Sequence, residues 1–360
     1  MEGITTTRIA AWGAALALVT GGVIGATTAA ASPALQDEAS TSRTTTQKST
    51  QEPAQRSQVR AGGVSTAVSY PQTTARWAGS VNIYSRTAVN TAYWRNYGGG
   101  LVTPTGYTGD DSRCERGSQS STSRATTLRA INYVRSLAGL APVSFSSTLN
   151  ARSQLTAVMM SANKKLSHYP TSSWRCYSLT AARNAARSNL ALGYPEITSA
   201  GLVSMYMRDA GSTNTAVGHR RWLMNPFTTY MGSGATDTAN SITVIGPSSN
   251  YRPNPAWVSW PTRGQFPNSL EPSGRWSLSA GNKRINFRYA SVRVYRNGTL
   301  LRTVKQPVKT GYAMPTIVWE MPDAVARSGT FRVVVSGIRK AGTTKRYTRS
   351  YYVTMFTPTR

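Results

Sequence analysis

Apolar residues recur at three- and four-residue steps from Ser123 onward, at Leu128, Ile131, Val134 and Ala138, and the pattern stops at Gly139 and Pro142. That period places them on one helix face, with Ser123 as the N-cap and the glycine as the stop. A second helix is predicted from Ser147 to Lys164, with Leu149, Leu155, Val158 and Met159 or Met160 on its apolar side. Shorter helical stretches follow at 179–190 and 197–208. After Pro226, the runs TTYMGSG and SITVIG read as short strands around a turn-like ATDTAN. Helices on both sides of a small antiparallel sheet make an α–β–α arrangement.

From Trp257 the texture changes from helical to alternating. VRVYRNGTLLRTV places Asn297-Gly298 between two β-rich arms, a strong hairpin signal. TIVWEM, TFRVVVSGI and RYTRSYYVTMF add strands, several with period two. The spacing predicts a β-sandwich over 251–360, so the fold class is α+β with an all-β module at the C-terminal end.

The N-terminal third carries little periodicity. Arg8 precedes an uncharged stretch that ends on Ala29-Ala30-Ala31, which predicts an exported chain with a signal peptide at 1–31. An uncleaved membrane anchor is the alternative. Residues 32–69 are rich in Ser, Thr and Gln and poor in apolar side chains, the composition of a disordered linker. Residues 70–122 are aromatic and Gly-rich and read as an irregular extension packed on a globular unit over 123–250. No further membrane-spanning stretch follows. An exported chain with only Cys114 and Cys176 predicts one disulfide between them, against the alternative of two reduced thiols.

The formal net charge is +28, and it is unevenly placed. Residues 1–116 hold 10 Lys and Arg against 7 Asp and Glu, residues 117–251 hold 12 against 3, and residues 252–360 hold 19 against 3. The last third is therefore where an anionic partner is expected, with Arg293 and Arg302 as representative contacts. For an exported protein that partner is a cell-wall polymer or another extracellular polyanion. A solvated basic surface with no partner is the plainer alternative.

Four segments in order carry a resemblance to a known family: INYVRSLAGLAPVSF, STLNARSQLTAVMM, LSHYPTSSWRC and GHRRWLMNP followed by MGSG. Across 128–246, about a third of the chain, the sequence resembles the CAP superfamily of cysteine-rich secretory, antigen 5 and pathogenesis-related proteins, in its bacterial form. The resemblance implies an α–β–α sandwich with a cleft lined in many members by two histidines and two glutamates, where some bind a divalent metal. His168 and His219, the two histidines of this chain, match the family positions. A family Glu-Asn pair is replaced by Ser188-Asn189, and LVSMYMRDAG offers Asp209 as the sole acid of its helix. The C-terminal module is reminiscent of the immunoglobulin-like sandwiches that accompany such domains.

Candidate chemistry is correspondingly narrow. From 116 to 270 the carboxylates are Glu196, Asp209 and Asp237. Two imidazoles and Asp209 form a candidate zinc site with room for water, which would support hydrolysis; a structural role for both histidines is the alternative. The serines lack a nucleophile elbow, and no phosphate-cradling glycine motif or small-molecule cofactor is implied. The reading favours an extracellular or cell-wall-associated binding protein over a metal-dependent hydrolase or a lipid carrier.

Overall fold

The computed structural model describes Thr27–Thr28 and residues 80–193, 196–249, 254–322, 325 and 327–360. The expected linker and the rest of the expected signal peptide lie outside the described residues. Among the described residues no helix is long and apolar enough to cross a membrane.

In the first half the elements run β1 (Thr27–Thr28), α1 (Arg86–Asn96), α2 (Ser121–Leu137), β2 (Ser144–Phe145), α3 (Ser147–Ala162), α4 (Leu179–Ala185) and β3 (Ser188–Leu192). They continue through α5 (Gly201–Arg208), α6 (Gly218–Leu223), β4 (Tyr230–Ala235) and β5 (Ala239–Thr243). The sheet order is β1-β3-β5-β4-β2, antiparallel except for the parallel β2–β4 pair. Period-two alternation in β3 explains the layering. Leu190 and Leu192 pack with Met159, Met160, Ala181 and Ala185 of α3 and α4, whereas Ala191 joins the core that holds Ile131, Val134, Val203 and Tyr206 of α2 and α5. The sheet is thus helix-covered on both faces. Gly232 and Gly234 let α3 lie against β4, because a Cβ at those positions would fall 2.3 Å from the Leu149 carbonyl carbon and 2.1 Å from the Gln154 nitrogen.

Helix α3 ends at Ala162, two residues before the expected Lys164, α5 begins at Gly201 rather than at the expected 197, and two further boundaries differ for a visible physical reason. Helix α2 is capped by Ser120, whose Oγ accepts from the Ser123 amide at 3.1 Å, since Ser123 itself is buried and bonded to Ser199 Oγ at 2.8 Å. The helix expected over 179–190 ends at Ala185, and Ser188–Leu192 instead pairs with β5. A five-residue run with every position buried gains more in the sheet centre than on a helix with only one covered face.

The extension is less irregular than its composition predicts. Ser85 caps α1 through its Oγ, and Val89, Tyr93 and Tyr97 form a single buried stripe at four-residue spacing. Tyr133 donates to the Val89 carbonyl at 3.2 Å, so α1 packs on α2. Its other side meets the chain end, where Asn90 Nδ2 and Trp94 Nε1 donate to the Thr359 carbonyl at 2.6 and 2.8 Å. Farther on, the expected disulfide is present: Cys114 and Cys176 are bonded. Closing that 62-residue separation stabilises by about 4 kcal/mol on the chain-entropy model.

The second half contains β6 (Trp257–Trp260), β7 (Gly264–Pro267), β8 (Arg275–Ala280), β9 (Ile285–Asn286), β10 (Ser291–Arg296), β11 (Thr299–Leu301), β12 (Val304–Lys305), β13 (Thr316–Glu320), β14 (Gly329–Lys340) and β15 (Arg346–Phe356). One sheet has the order β11-β10-β14-β15-β7, with β9 also paired to β14; the other is β12-β13-β8-β6. The ladders are antiparallel apart from β15–β7. Asn297 and Gly298 both adopt positive φ, as the predicted two-residue hairpin requires. The sheets meet through rings, with Trp276 of β8 edge-on to Phe331 of β14 at 5.3 Å and to Trp319 of β13 at 6.4 Å. This half is β-rich with several antiparallel sheets, and its core is continuous with that of the first half.

Candidate functional site

His219 is the second residue of α6, and Asp209 is the C-cap of α5 in the left-handed conformation (φ 52°, ψ 45°), which Asp tolerates better than most residues. That turn brings the Asp209 carboxylate to His219 Nδ1 at 2.6 Å, with both side chains fully buried. The other carboxylate oxygen accepts the Arg220 amide at 3.0 Å. Tyr206 of α5 stacks on the imidazole with 5.6 Å between centroids, and burial pushes its hydroxyl well up in pKa. Asn189 of β3 donates to the His219 carbonyl at 3.0 Å. The ring is therefore fixed by α5 and its C-cap, and the backbone that carries it is fixed by β3.

A carboxylate partner requires Nδ1 of His219 to carry hydrogen, and in the neutral ring Nε2 is then the acceptor. That Nε2 is buried with no hydrogen-bond partner. His168, in the loop after α3, is also buried, and its Nδ1 donates to the Ala185 carbonyl at 2.8 Å. Both histidines are thus held with hydrogen on Nδ1.

The structure does not assemble the expected ligand triad of His168, His219 and Asp209. Among the described residues no group of three or more His, Cys, Asp or Glu is placed to hold a metal ion. Asp209 sits at Nδ1, across the ring from Nε2, where it orients the histidine, and its carboxylate is already occupied by two donors. At the replaced family position, Ser188 donates to the Asn184 carbonyl at 2.7 Å and supplies no charge. Asp237 accepts from Thr105 at 2.9 Å and braces the extension. The residues present do not fit a three-ligand metal centre.

Sequence reasoning missed what surrounds the dyad. Arg220, next to His219, is buried and crosses into the β module. Its Nη2 meets Glu271 Oε2 at 2.6 Å, its Nη1 donates to the Arg275 carbonyl at 2.8 Å and to Ser277 Oγ at 3.2 Å, and its Nε donates to the Met207 carbonyl at 2.6 Å. Glu271 also accepts from Trp260 Nε1 at 3.1 Å and from the amide and hydroxyl of Ser273. Burial pushes the Glu271 carboxyl up, against the pull of Arg220 and these donors. All of its partners are donors, the arrangement that a carboxylate accepts from. Arg275 reaches back to the Asp209 and Gly211 carbonyls and pairs with Glu320 at 2.9 Å. Arg221 donates to the Lys309 and Met314 carbonyls across the same boundary. A sequence signal existed in Glu271, the sole acid between 238 and 319, but nothing in the chain points from it to Arg220.

The expected polyanion contacts lie elsewhere. Arg293 on β10 and Arg302 after β11 are exposed, away from the dyad's buried surroundings.

Comparison with known proteins agrees with the layered first half. The model of the CAP family, the cysteine-rich secretory protein family, matches residues 128–245. No curated protein matches the chain. Among solved structures, PcoC, a methionine-rich copper resistance protein from Escherichia coli, aligns at 14% identity over 27% of this chain and 93% of its own. Its TM-score of 0.21 carries no inference for this chain. Residues 128–245 are a CAP domain, a member of the cysteine-rich secretory protein family.

Proposed function

We propose that this chain is an exported bacterial CAP-domain protein that acts as a binding protein on an anionic extracellular or cell-wall polymer. The CAP domain is the rigid platform, and the basic β module, of immunoglobulin-like sandwich type, holds it on the polymer. The observation that carries this reading is the fate of carboxylates in the last third. Of its three acids, Glu271 is buried against Arg220 and Glu320 is bound by Arg275, while Asp323 lies outside the described residues. The exposed cations, Arg293 and Arg302 among them, therefore face solvent with little internal neutralisation.

The test is titration of the full chain with an anionic polysaccharide and with its uncharged counterpart over a range of salt. Binding to the charged polymer alone is expected, weakening steeply as salt rises because each neutralised site releases a counterion. Equal binding to both polymers, or binding indifferent to salt, would overturn the reading. A hydrolase draws support from the unpartnered Nε2 of His219, but among the described residues no third metal-ligating side chain joins the dyad.

A further inference from the structure

Two basic runs far apart in the chain, NKRINFR at 282–288 and IRKAGTTKR at 338–346, meet at one end of the larger sheet of the β module. Strand β9 pairs with β14 so that Asn286 is opposite Arg339 and Ile285 opposite Lys340. Past the ladder, the Ala341 amide donates to the Arg284 carbonyl at 2.8 Å, and Arg284 Nη2 donates back to the Ala341 carbonyl at 2.8 Å. Seven cations gather there: Lys283, Arg284, Arg288, Arg339, Lys340, Lys345 and Arg346. Lys283, Arg284, Arg288, Lys345 and Arg346 are exposed, and Arg339 and Lys340 are half-buried. None of the seven takes part in an ion pair among the described residues, and neither 272–319 nor 324–360 contains an acid.

The arrangement is unfavourable without a ligand. Arg339 and Arg346 are directly opposite in the β14–β15 ladder, and like charges at that position repel. An anion bridging the two guanidinium groups converts that repulsion into attraction. We infer that this end of the sheet is the seat of a linear polyol-phosphate polymer, with one phosphodiester charge per repeat. The inference rests on the anionic-polymer reading above and gives that reading an address. Four of the seven cations are arginines, whose planar fork matches phosphate oxygens. The hairpin tip, Ala341-Gly342-Thr343-Thr344, carries no large apolar side chain to enter a bilayer. Tyr289, 58% exposed beside the cluster, has Arg339 4.2 Å and Arg288 5.6 Å from its ring centroid, so cations already engage the ring that a nucleobase would stack on. What is left to recognise is a charged backbone.

The experiment uses the full chain, because the two halves share a core, and polyglycerol phosphate as the probe. The variant Lys283→Gln/Arg288→Gln/Lys345→Gln/Arg346→Gln is compared with Lys309→Gln/Arg327→Gln/Arg332→Gln/Arg360→Gln, which removes the same charge from exposed positions elsewhere on the module. Thermal unfolding of both variants checks that they fold. The cluster variant is expected to bind at least about 50-fold more weakly at moderate salt, and the control variant less than about fivefold more weakly. Equal losses in the two variants overturn the site and leave the anionic-polymer reading standing. Failure of the unmodified chain to bind any polyanion overturns both. Tighter binding to a single-stranded oligonucleotide with the same number of phosphates, or to anionic vesicles, overturns the assigned occupant.

Discussion

Replacing Glu271 by Gln removes one charge from the pair that joins the CAP domain to the β module and leaves its shape almost unchanged. Arg220 is 2% exposed and Glu271 fully buried, with 2.6 Å between Nη2 and Oε2. Breaking a buried ion pair from one side costs about 3–5 kcal/mol, because the remaining charge stays desolvated. Arg220 keeps the carbonyls of Met207, Arg208 and Arg275 and the Ser277 hydroxyl, so its hydrogen bonds survive. Those partners are neutral, and the loss is expected near the lower end, about 3 kcal/mol. Arg220→Met strands the carboxylate in the same way, and the double variant should lose about 2 kcal/mol less than the sum of the singles. Urea unfolding provides the assay through two signals. Helical circular dichroism reports the first half, which holds α1 to α6, and in a background with Trp77, Trp94, Trp174 and Trp222 replaced by Phe, tryptophan fluorescence reports the second through Trp260, Trp276 and Trp319. One shared core predicts coincident transitions. A loss below about 1 kcal/mol for Glu271→Gln, or strict additivity in the double variant, would refute the reasoning.

Alkaline pH should unfold the protein in a defined window. Burial pushes the hydroxyls of Tyr97, Tyr133, Tyr206 and Tyr351 above their usual value, so the stability they contribute is complete below about pH 10 and is lost above it. Burial also pulls Arg221 down to about 10, and that group acts in the opposite sense over the same range. The raised tyrosines, which also include Tyr107 and Tyr312, outnumber the lowered arginines Arg220 and Arg221, so stability is expected to fall as pH rises above about 10, read from urea midpoints at successive pH values beyond it; a flat profile would contradict it. Zinc titrated calorimetrically into the full chain is expected to bind no more tightly than it does to His168→Ala or His219→Ala, since Asp209 is committed to Nδ1. Tight uptake abolished by either alanine variant would show that the histidines form a metal centre without it.

The elements closest to regular periodicity were readable from the chain alone. Helices α2 and α3, the Asn297-Gly298 hairpin and strands β13 to β15 each state their period in local sequence, because side chains on one face share one solvent. The Cys114–Cys176 bond followed from arithmetic on two cysteines. Helix α1 was illegible, since one stripe of Val89, Tyr93 and Tyr97 among polar residues becomes apolar packing only when α2 lies beside it. Strand β3 was misread for a related reason: SNLAL is short enough for either period, and its neighbour β5 decided.

The candidate site divides along the same line. Residue types and order along the chain marked His168, His219 and Asp209 as the available chemistry. Whether Asp209 would ligate beside His219 or orient it depended on a left-handed backbone at one residue, and that conformation placed the carboxylate on Nδ1. The total positive charge of the last third was countable from composition, but its concentration at one sheet end was not. Lys283 and Arg346 are 63 positions apart in sequence, and the ladders β9–β14 and β14–β15 bring them to the same edge. Local sequence determines what each segment prefers, because propensity, capping and turn chemistry act over a few residues. Pairing of strands and burial of charge act between segments, so the Arg220–Glu271 pair and the basic cluster exist only once the tertiary structure has closed.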